Sequence, residues 1–398
     1  MRGKLNRRTS IIILAMATIV AIFAIAVHQD RTVEIEIIRA EAWAEQYPDQ
    51  YRTYLQNEEM VRTTFGGSEP IDYLEKYPEL LTIYDGVGFS IEYLRARGHV
   101  YALEDVIHTE RGKPGASCLA CKTPDYVAME ATHGSALYAM DFNEMAAQAH
   151  SGVSCYDCHR NEPGVLHITR GHLEKGLSHL EEEYQMKNLV CAQCHIEYFL
   201  DPETKEVTVP WKYGTDVAEV EATFMEWNYI DWVHPQTGGE LYKIQHPEFE
   251  TYLGSTHQQF GISCVDCHMP RITNDAGEQF PSHHWTSPLK TVEASCLGCH
   301  GESEAELVAE VERLQGTVEN KTVEVSRQLV ALIEAIAGAR DTLPEATLEE
   351  VYQLHRSAQI RWDFVFVENS QGFHHYDKAM SYLNEAEAMI NEAMSLLP

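Results

Sequence analysis

The chain has no cysteine outside five closely spaced pairs, and it has few basic residues for its length. Its 30 Lys and Arg residues stand against 61 Asp and Glu residues, which gives a formal charge of −31 over 398 residues. A surface this acidic repels phosphate backbones and argues against nucleic acid as a partner. Because all ten cysteines occur in C-x-x-C pairs, no thiol remains for a separate disulfide, a free nucleophile or a redox switch.

Low-complexity tracts and long Pro/Gly/Ser linkers are absent from residues 40–300. Nothing in that region marks a domain boundary. The C-x-x-C pairs begin 32 to 73 residues apart, and this spacing is too irregular for a solenoid repeat.

Residues 1–27 are typical of an export signal. Four basic residues near the start precede an uncharged apolar run of 17 residues from Ile11 to Val27. That length lies between the apolar part of a signal peptide and the shortest membrane-spanning helix, and Ala24-Ile25-Ala26 offers a cleavage site. A cleaved signal peptide and a retained membrane anchor both remain open. Either one predicts that residues 28–398 are exported, to the periplasm or the outer face of the cytoplasmic membrane.

Four of the five pairs continue directly into histidine, as C-x-x-C-H. This is the attachment motif of haem c, in which two thiols form thioethers and the adjacent histidine binds iron. Zinc is the rival metal for paired cysteines, but zinc needs no such histidine, and five pairs cannot form Cys₄ sites without a remainder. The predicted attachment residues are Cys155, Cys158, Cys191, Cys194, Cys264, Cys267, Cys296 and Cys299, and the predicted proximal iron ligands are His159, His195, His268 and His300.

The remaining pair is Cys118-Leu-Ala-Cys121-Lys122, with lysine in the place of the iron-binding histidine. One interpretation is a decayed motif with a solvated lysine. The other is that the Lys122 amine, deprotonated by coordination, is the proximal ligand of one special haem. Because both thiols remain, we predict five haems, of which this one does chemistry rather than electron relay.

Histidine supply agrees with this interpretation. The chain has 20 histidines, and four of them belong to the haem motifs. Four six-coordinate relay haems need four more as distal ligands, and 16 are available. The lysine-ligated haem can then keep its distal face open for a substrate.

The C-terminal quarter has helical periodicity and no metal-binding pattern. Ser303 and Glu306 form a capping-box pattern, and apolar residues then recur at helical spacing to the end of the chain. We predict a mainly α, multihaem cytochrome c fold in which haem fills much of the core. Residues 28–302 form the five-haem catalytic region. Residues 303–398 form long helices of the same domain, which either only close over the core or also provide a subunit interface.

The sequence closely resembles the pentahaem cytochrome c nitrite reductases, the ammonia-forming family. One C-x-x-C-K motif before four C-x-x-C-H motifs is that family's arrangement. The resemblance covers residues 40–300 well. In the C-terminal region only the helical character is shared. It runs through Tyr47-Pro-Asp-Gln-Tyr51, Arg97-Gly-His99, Lys122-x-Pro-Asp125, His195-Ile-Glu197-Tyr198, Gln245-His246-Pro-Glu248 and His268-Met-Pro270.

The resemblance implies a nitrite pocket over the Lys122 haem. Its catalytic residues would be Arg111, which attracts the anion, with Tyr198 and His246, which donate hydrogen bonds and protons. The resemblance also implies a calcium ion beside this pocket. Its ligands would be the Glu197 and Gln245 side chains and the Tyr198 and Lys243 carbonyls, and oxygen ligands suit a hard cation.

The resemblance further implies distal ligands, partners and a reaction. The distal histidines would be His283, His99, His374 and His257 for the second to fifth haems. His284 is an alternative to His283, and His375 is an alternative to His374. Nitrite would take six electrons to become ammonium. A membrane quinol-oxidising multihaem cytochrome would donate the electrons, and two copies of the chain would form a homodimer. Two alternatives are a pure electron-transfer pentahaem cytochrome, against which Lys122 argues, and an octahaem relative acting on hydroxylamine or tetrathionate, against which the five motifs argue.

Overall fold

The computed structural model describes residues 35–59, 62–63, 66–67 and 69–398. The predicted export signal or anchor, residues 1–27, lies outside them. Among the described residues, no helix has both the length and the apolar character that crossing a bilayer requires.

Helices carry the fold of the described residues. The α-helices are α1 (Pro48–Leu55), α2 (Tyr73–Lys76), α3 (Leu80–Ile83), α4 (Ala102–His108), α5 (Asp125–His133), α6 (Phe142–Ala146), α7 (Cys155–His159), α8 (Gly171–Leu177), α9 (Met186–Ala192), α10 (Val217–Glu226), α11 (Glu248–Tyr252), α12 (Thr256–Gln259), α13 (Cys264–His268), α14 (Val292–Ser295), α15 (Glu304–Ala339), α16 (Glu345–Phe366) and α17 (Tyr376–Leu396). Short 3₁₀ turns lie at Ala40–Trp43, Gln56–Glu58, Gly88–Ser90, His99–Tyr101, Ala116–Leu119, Gly134–Ala139 and Pro288–Lys290.

Strands are short and pair only locally in the described part of the chain. Each sheet is a two-stranded antiparallel ladder. The pairs are β1 (Arg62–Thr63) with β2 (Gly66–Gly67), β3 (Phe199–Leu200) with β4 (Val207–Thr208), β5 (Trp232–Val233) with β6 (Glu240–Leu241), and β7 (Arg271–Thr273) with β8 (Gln279–Pro281). Ladders of two or three residues only fix loop geometry, so the strands do not form a layer of the fold.

The three long helices at the C-terminus pack on one another. Helix α15 begins at the predicted capping box, in which Ser303 N–H donates to the Glu306 carboxylate at 2.9 Å and Glu306 N–H donates to the Ser303 hydroxyl at 3.3 Å. The predicted apolar stripe is buried from Val318 onward, and Leu329 and Trp362 are fully inaccessible. Amphipathic helices of this length are stabilised mainly by burying that stripe.

Apolar side chains gather in two clusters. The larger includes the C-terminal helices together with α3 and α10, and the smaller surrounds the first C-x-x-C pair, with Leu119, Tyr126 and Phe142 as members. The C-terminal helices therefore close a core that is made of their own side chains.

Candidate functional site

Two of the histidine motifs each form a complete helical turn, and both turns begin with the same Ser/Asp capping box. In α7, Ser154 N–H donates to the Asp157 carboxylate at 2.8 Å, and in α13, Ser263 N–H donates to the Asp266 carboxylate at 2.9 Å. The capping acid is the residue before the second cysteine of each motif. Residues i, i+3 and i+4 share one face of a helix, so each cap fixes the turn that aligns two thiols and one imidazole.

The lysine motif is wound differently from the histidine motifs. In the third and fifth motifs, His195 N–H and His300 N–H bond to carbonyls four residues back, at 3.0 and 3.1 Å. Lys122 N–H instead bonds to the carbonyl of Leu119, three residues back, at 3.0 Å. A 3₁₀ turn is tighter than an α-turn, so the longer lysine side chain comes with a different local backbone.

Each motif histidine faces a second histidine from elsewhere in the chain. The ring centroids of His159 and His283 lie 6.2 Å apart, those of His195 and His99 5.7 Å, those of His268 and His374 6.2 Å, and those of His300 and His257 6.3 Å. Two imidazoles that bind one metal ion from opposite sides have centroids about 6 Å apart, since each metal–nitrogen bond is about 2 Å. The four pairs therefore fit a metal held between their rings.

Several of these histidines have Nδ1 engaged by the protein. Nδ1 lies 2.8 Å from the Val165 carbonyl in His159, 3.1 Å from that of Thr286 in His268, and 3.0 Å from that of Pro281 in His283. Metal-binding histidines usually bond their other ring nitrogen in this way, which fixes the ring and its tautomer. The same arrangement leaves Nε2 free for iron.

Ring separation alone does not identify a haem pair. The His234 and His355 rings also lie 6.2 Å apart, although neither belongs to a C-x-x-C-H motif. His234 Nε2 lies 2.8 Å from the Thr82 carbonyl, and its Nδ1 accepts from Thr237 N–H at 3.4 Å. Because the protein engages both nitrogens of His234, this ring has no nitrogen left to bind a metal.

The structure places the rings of the rival histidines differently. His283, not His284, has its ring opposite His159. His374, not His375, faces His268, and His375 Nδ1 instead accepts from Lys378 N–H at 3.2 Å and caps α17.

Two glycines bring His99 to its place. Gly98 has φ of +114°, a conformation that residues with a side chain rarely adopt. A Cβ at Gly152 would overlap the Val100 carbonyl oxygen, and without it Val153 N–H donates to the His99 carbonyl at 3.1 Å. The segment before the second motif thus holds the backbone of His99, the predicted distal ligand of the third haem.

Arg111 and Tyr198 lie near each other beside the lysine motif. The Arg111 guanidinium lies over the Phe89 ring at 4.4 Å, and its Nε donates to the Thr109 hydroxyl at 3.2 Å. Burial raises the pKa of the Tyr198 phenol well above its ordinary value, as do Cys121 and Cys118, while Arg111 acts in the opposite direction. Tyr198 therefore stays protonated and can donate a hydrogen bond.

His246 shares a buried carboxylate with a haem-motif histidine. The Glu248 carboxylate oxygens lie 3.4 Å from His195 Nδ1 and 3.8 Å from His246 Nδ1. Burial lowers the pKa of His246, and Lys122 and His195 lower it further, while Glu248 opposes the shift. Burial tends to raise the pKa of Glu248, but His195 and His246 hold it well below its usual range. Glu248 is thus an anion beside both rings, and it lies nearer to that of His195.

Three of the four predicted calcium ligands, those from Glu197, Lys243 and Gln245, lie together around one buried carboxylate. Gln245 N–H donates to Glu197 Oε2 at 2.6 Å, and the Gln245 side-chain amide donates to the Lys243 carbonyl at 3.1 Å. Glu197 is fully buried, and its Oε1 has no hydrogen-bond partner among the described residues. Burial raises the pKa of Glu197 well above its ordinary value, and the nearby Glu250 adds to this. An orphaned buried carboxylate oxygen beside a carbonyl and an amide fits a hard cation.

The Lys243 side chain points away from this group of oxygens. Its ammonium donates to both Asp363 oxygens at 3.1 Å and lies over the Tyr84 and Phe89 rings. The Lys243 side chain is thus used by Asp363 of α16, and its carbonyl is the group that lies beside Gln245.

Sequence reasoning missed the carboxylates that contact the histidines. Glu248 lies in the Gln-His-Pro-Glu segment, whose pattern assigns it no role, and no motif marks Glu368, which lies 2.6 Å from His374 Nδ1. Asn369 follows directly and donates to Glu248. The only sequence feature that points to Glu368 is that the Glu-Asn pair lies shortly before the His374-His375 pair.

Known proteins are similar to this chain in sequence and in fold. The family described as Cytochrome c552 matches residues 39–397. The chain belongs to the cytochrome c552 family. The match extends to the last helix, beyond the region in which the motifs alone indicated a relationship.

Two named proteins are similar to this chain over most of their length. Cytochrome c-552 of Bacteroides fragilis is 32% identical over 370 residues, covering 88% of this chain and 75% of that protein. Cytochrome c nitrite reductase subunit NrfA of Nitratidesulfovibrio vulgaris is 30% identical over 412 residues, covering 91% of this chain and 78% of the relative.

A solved structure gives the same fold. The catalytic subunit of cytochrome c nitrite reductase from Desulfovibrio desulfuricans superposes with a TM-score of 0.83 at 28% identity, covering 90% of this chain and 85% of that one, and that protein has two calcium sites. Membership of this enzyme group, the mainly α multihaem fold with long C-terminal helices, and haem c as cofactor are thereby confirmed.

Proposed function

We propose that the protein reduces nitrite to ammonium, with six electrons, at a haem whose proximal ligand is Lys122. One observation carries the proposal. Each of the four motif histidines faces its predicted distal histidine, at 5.7 to 6.3 Å between centroids, which supports four relay haems. His195 also lies 6.1 Å from His246, whose Nδ1 is beside Glu248. The groups beside the lysine motif are instead an arginine, a phenol and an imidazole, a set suited to an anionic substrate that must be protonated.

The three side chains have separate tasks in this reaction. Haem c, when bound, supplies the iron that holds the substrate and the route by which electrons arrive. Arg111 attracts the nitrite anion, and its stacking on Phe89 limits its movement. Tyr198 and His246 donate protons to the oxygens that leave as water. Glu248, 3.8 Å from Nδ1 of His246, would favour a proton on that nitrogen and leave Nε2 for the substrate.

We also propose calcium as a structural cation of the pocket. Its ligands would be the Glu197 and Gln245 side chains and the carbonyls of Tyr198 and Lys243. The unpartnered Glu197 oxygen supports this assignment, as do the calcium sites of the Desulfovibrio desulfuricans relative. The Gln245 amide would have to turn its oxygen, rather than its nitrogen, toward the ion.

The partners are proposed from the resemblance. Electrons would come from a membrane quinol-oxidising multihaem cytochrome, and the export signal in residues 1–27 would bring the two together in the periplasm. Two copies would associate through residues 303–398.

The test is an assay of the purified haem protein with reduced viologen and nitrite, in which ammonium is quantified. We expect one ammonium per six electrons, five haems by pyridine haemochrome analysis, and one high-spin haem. Lys122→His should keep five haems and lose most of the turnover. Five low-spin haems without ammonium production would favour the relay cytochrome instead.

A further inference from the structure

Arg170 is a fully buried cation in the middle of the haem-motif region. It precedes α8, and only 1% of its surface is exposed. Such a charge is costly to bury unless each of its donors is bonded. The partners of Arg170 are therefore informative, and they belong to the first two haem motifs and to the segment around it.

The guanidinium holds the backbone on both sides of Lys122. Nε donates to the Ala120 carbonyl at 2.5 Å, and Nη2 donates to the Thr123 carbonyl at 3.0 Å. These carbonyls flank the Cys121-Lys122 dipeptide. The planar fork of an arginine can bridge two such acceptors, whereas the ammonium of a lysine is a single point of contact.

The same guanidinium reaches the second motif. Its Nη2 pairs with the Asp157 carboxylate, which also caps α7 through Ser154. Its Nη1 donates to the Thr169 hydroxyl at 2.7 Å. Asp157 thus links the cap of the second haem motif to the backbone of the first.

The third motif joins this network through Gln193, which lies between its two cysteines. The Gln193 side-chain oxygen accepts from the Thr169 hydroxyl at 2.8 Å and from Arg170 N–H at 3.2 Å. Its amide nitrogen donates to the Asp157 carbonyl at 3.1 Å. Two consecutive residues, Thr169 and Arg170, therefore connect the interior positions of three haem motifs.

We propose that Arg170 is a positioning residue of the haem attached at Cys118 and Cys121, which holds the Lys122 turn in the geometry that keeps its amine on the iron and raises the reduction potential of that haem. The proposal rests on the proposed function in that it assumes ligation by Lys122. It adds a residue that touches neither the substrate nor the iron.

The positive charge of Arg170 affects the reduction potential of this haem because of where the charge lies. Arg170 lies close enough to Cys121 and Cys194 to act on both thiols electrostatically. A fixed positive charge in a poorly solvated region disfavours the more positive, oxidised haem. Asp157 opposes this effect, because its carboxylate is paired with the guanidinium. Removing the cation and removing the anion should consequently shift the potential in opposite directions.

The experiment compares the full haem-loaded protein with Arg170→Gln, Arg170→Lys and Asp157→Asn, using Arg313→Gln on the exposed face of α15 as the control. The potential and the EPR spectrum of the high-spin haem are followed in a redox titration. Arg170→Gln should lower that potential and broaden the high-spin signal, and turnover should fall about tenfold. Asp157→Asn should raise the potential.

Arg170→Lys separates charge from geometry. It should keep the potential near that of the parent protein but give more than one high-spin species, since one ammonium cannot bridge both carbonyls. An unchanged potential and an unchanged EPR spectrum in Arg170→Gln would overturn the proposal. If that variant fails to retain five haems, a parental EPR spectrum in Arg170→Lys together with a parental potential in Asp157→Asn would overturn it as well.

Failure of the proposed function would look different. It would be seen in the parent protein, as absent ammonium or as five low-spin haems. Failure of the Arg170 proposal would be seen only as a lack of difference between an active parent and its variants.

Discussion

The carboxylate of Glu368 lies 2.6 Å from Nδ1 of His374. Glu368 is 2% exposed and follows the end of α16, and His374 precedes α17. Burial tends to lower the pKa of His374, but Glu368 raises it to about 9. A loop between two C-terminal helices therefore determines the electronic character of an imidazole that faces the fourth haem motif.

Replacing Glu368 by Gln should raise the reduction potential of the fourth haem. A carboxylate on Nδ1 makes an imidazole a stronger donor and favours oxidised iron. A tenfold loss of that preference corresponds to about 60 mV for a one-electron couple. Potentiometric titration of the low-spin EPR signals would measure the shift. Glu302→Gln is the control, because that exposed carboxylate lies farther from its histidine, at 3.7 Å from His300 Nδ1. Equal shifts in both variants would contradict the prediction.

Replacing His246 by Asn should leave five haems and four low-spin spectra unchanged. Nitrite turnover should fall by roughly 10²–10⁴, the usual effect of losing a positioned acid–base group. Pyridine haemochrome analysis, EPR and an ammonium assay would check these points. If His246 is instead an iron ligand, a low-spin haem would become high-spin, and the assignment would fail.

Replacing Arg111 by Leu should raise the apparent KM for nitrite by about tenfold or more, because a hydrogen bond to a charged group contributes about 1.5–3 kcal/mol. Arg111→Lys keeps the charge but not the stacking on Phe89, and we expect an intermediate KM. Steady-state kinetics over a range of nitrite concentrations would measure both. An unchanged KM in Arg111→Leu would place anion recognition elsewhere.

Replacing Glu197 by Gln should remove calcium without removing haem. The substitution keeps the shape of the side chain but not the charge, and calcium sites depend on carboxylate charge. Metal analysis after dialysis should show at least one calcium fewer per chain, together with lower nitrite turnover. Glu203→Gln, at an exposed acid on the following hairpin, should change neither quantity. Full calcium content in Glu197→Gln would reject the site.

Acidification should destabilise the C-terminal helices through His355. This side chain is fully buried in α16, and burial, with the neighbouring His234, lowers its pKa to about 3. The unfolded chain has the ordinary pKa near 6.5 and binds the proton first. Stability is thus lost as the pH falls from about 6.5 toward 3, by up to about 1.4 kcal/mol per pH unit.

His355→Phe should flatten this dependence, and His179→Gln on an exposed segment should not. Thermal unfolding of the haem-loaded proteins between pH 7 and pH 5 would measure the difference. Parallel curves for the parent and His355→Phe would show that the acid sensitivity arises elsewhere.

The features that could be predicted from the sequence are those that depend on neighbouring residues. The spacing in C-x-x-C-H fixes which side chains share a helical turn, and Ser303 with Glu306 fixes where α15 begins. The export signal in residues 1–27 stays a prediction, as do the partners.

Contacts across the chain could not be obtained in that way. The distal histidines came from resemblance, since His159 and His283 are far apart in sequence. The roles of Glu248, Glu368 and Arg170 depend on packing between segments that carry no periodicity. A buried carboxylate is also indistinguishable in sequence from the many glutamates on this acidic surface.

The difference between the two halves of the chain has a consequence for how the protein is made. The C-terminal helices close a core from their own side chains, whereas haem is expected to fill much of the space between the motif segments. The motif half leaves the ribosome first, because it lies nearer the N-terminus. We therefore expect it to emerge as an open chain, accessible to the enzymes that attach haem, and to become compact only as each cofactor arrives. The contact of Asn369 with Glu248 would form last, so that maturation ends when the last helices dock onto a chain already loaded with cofactor.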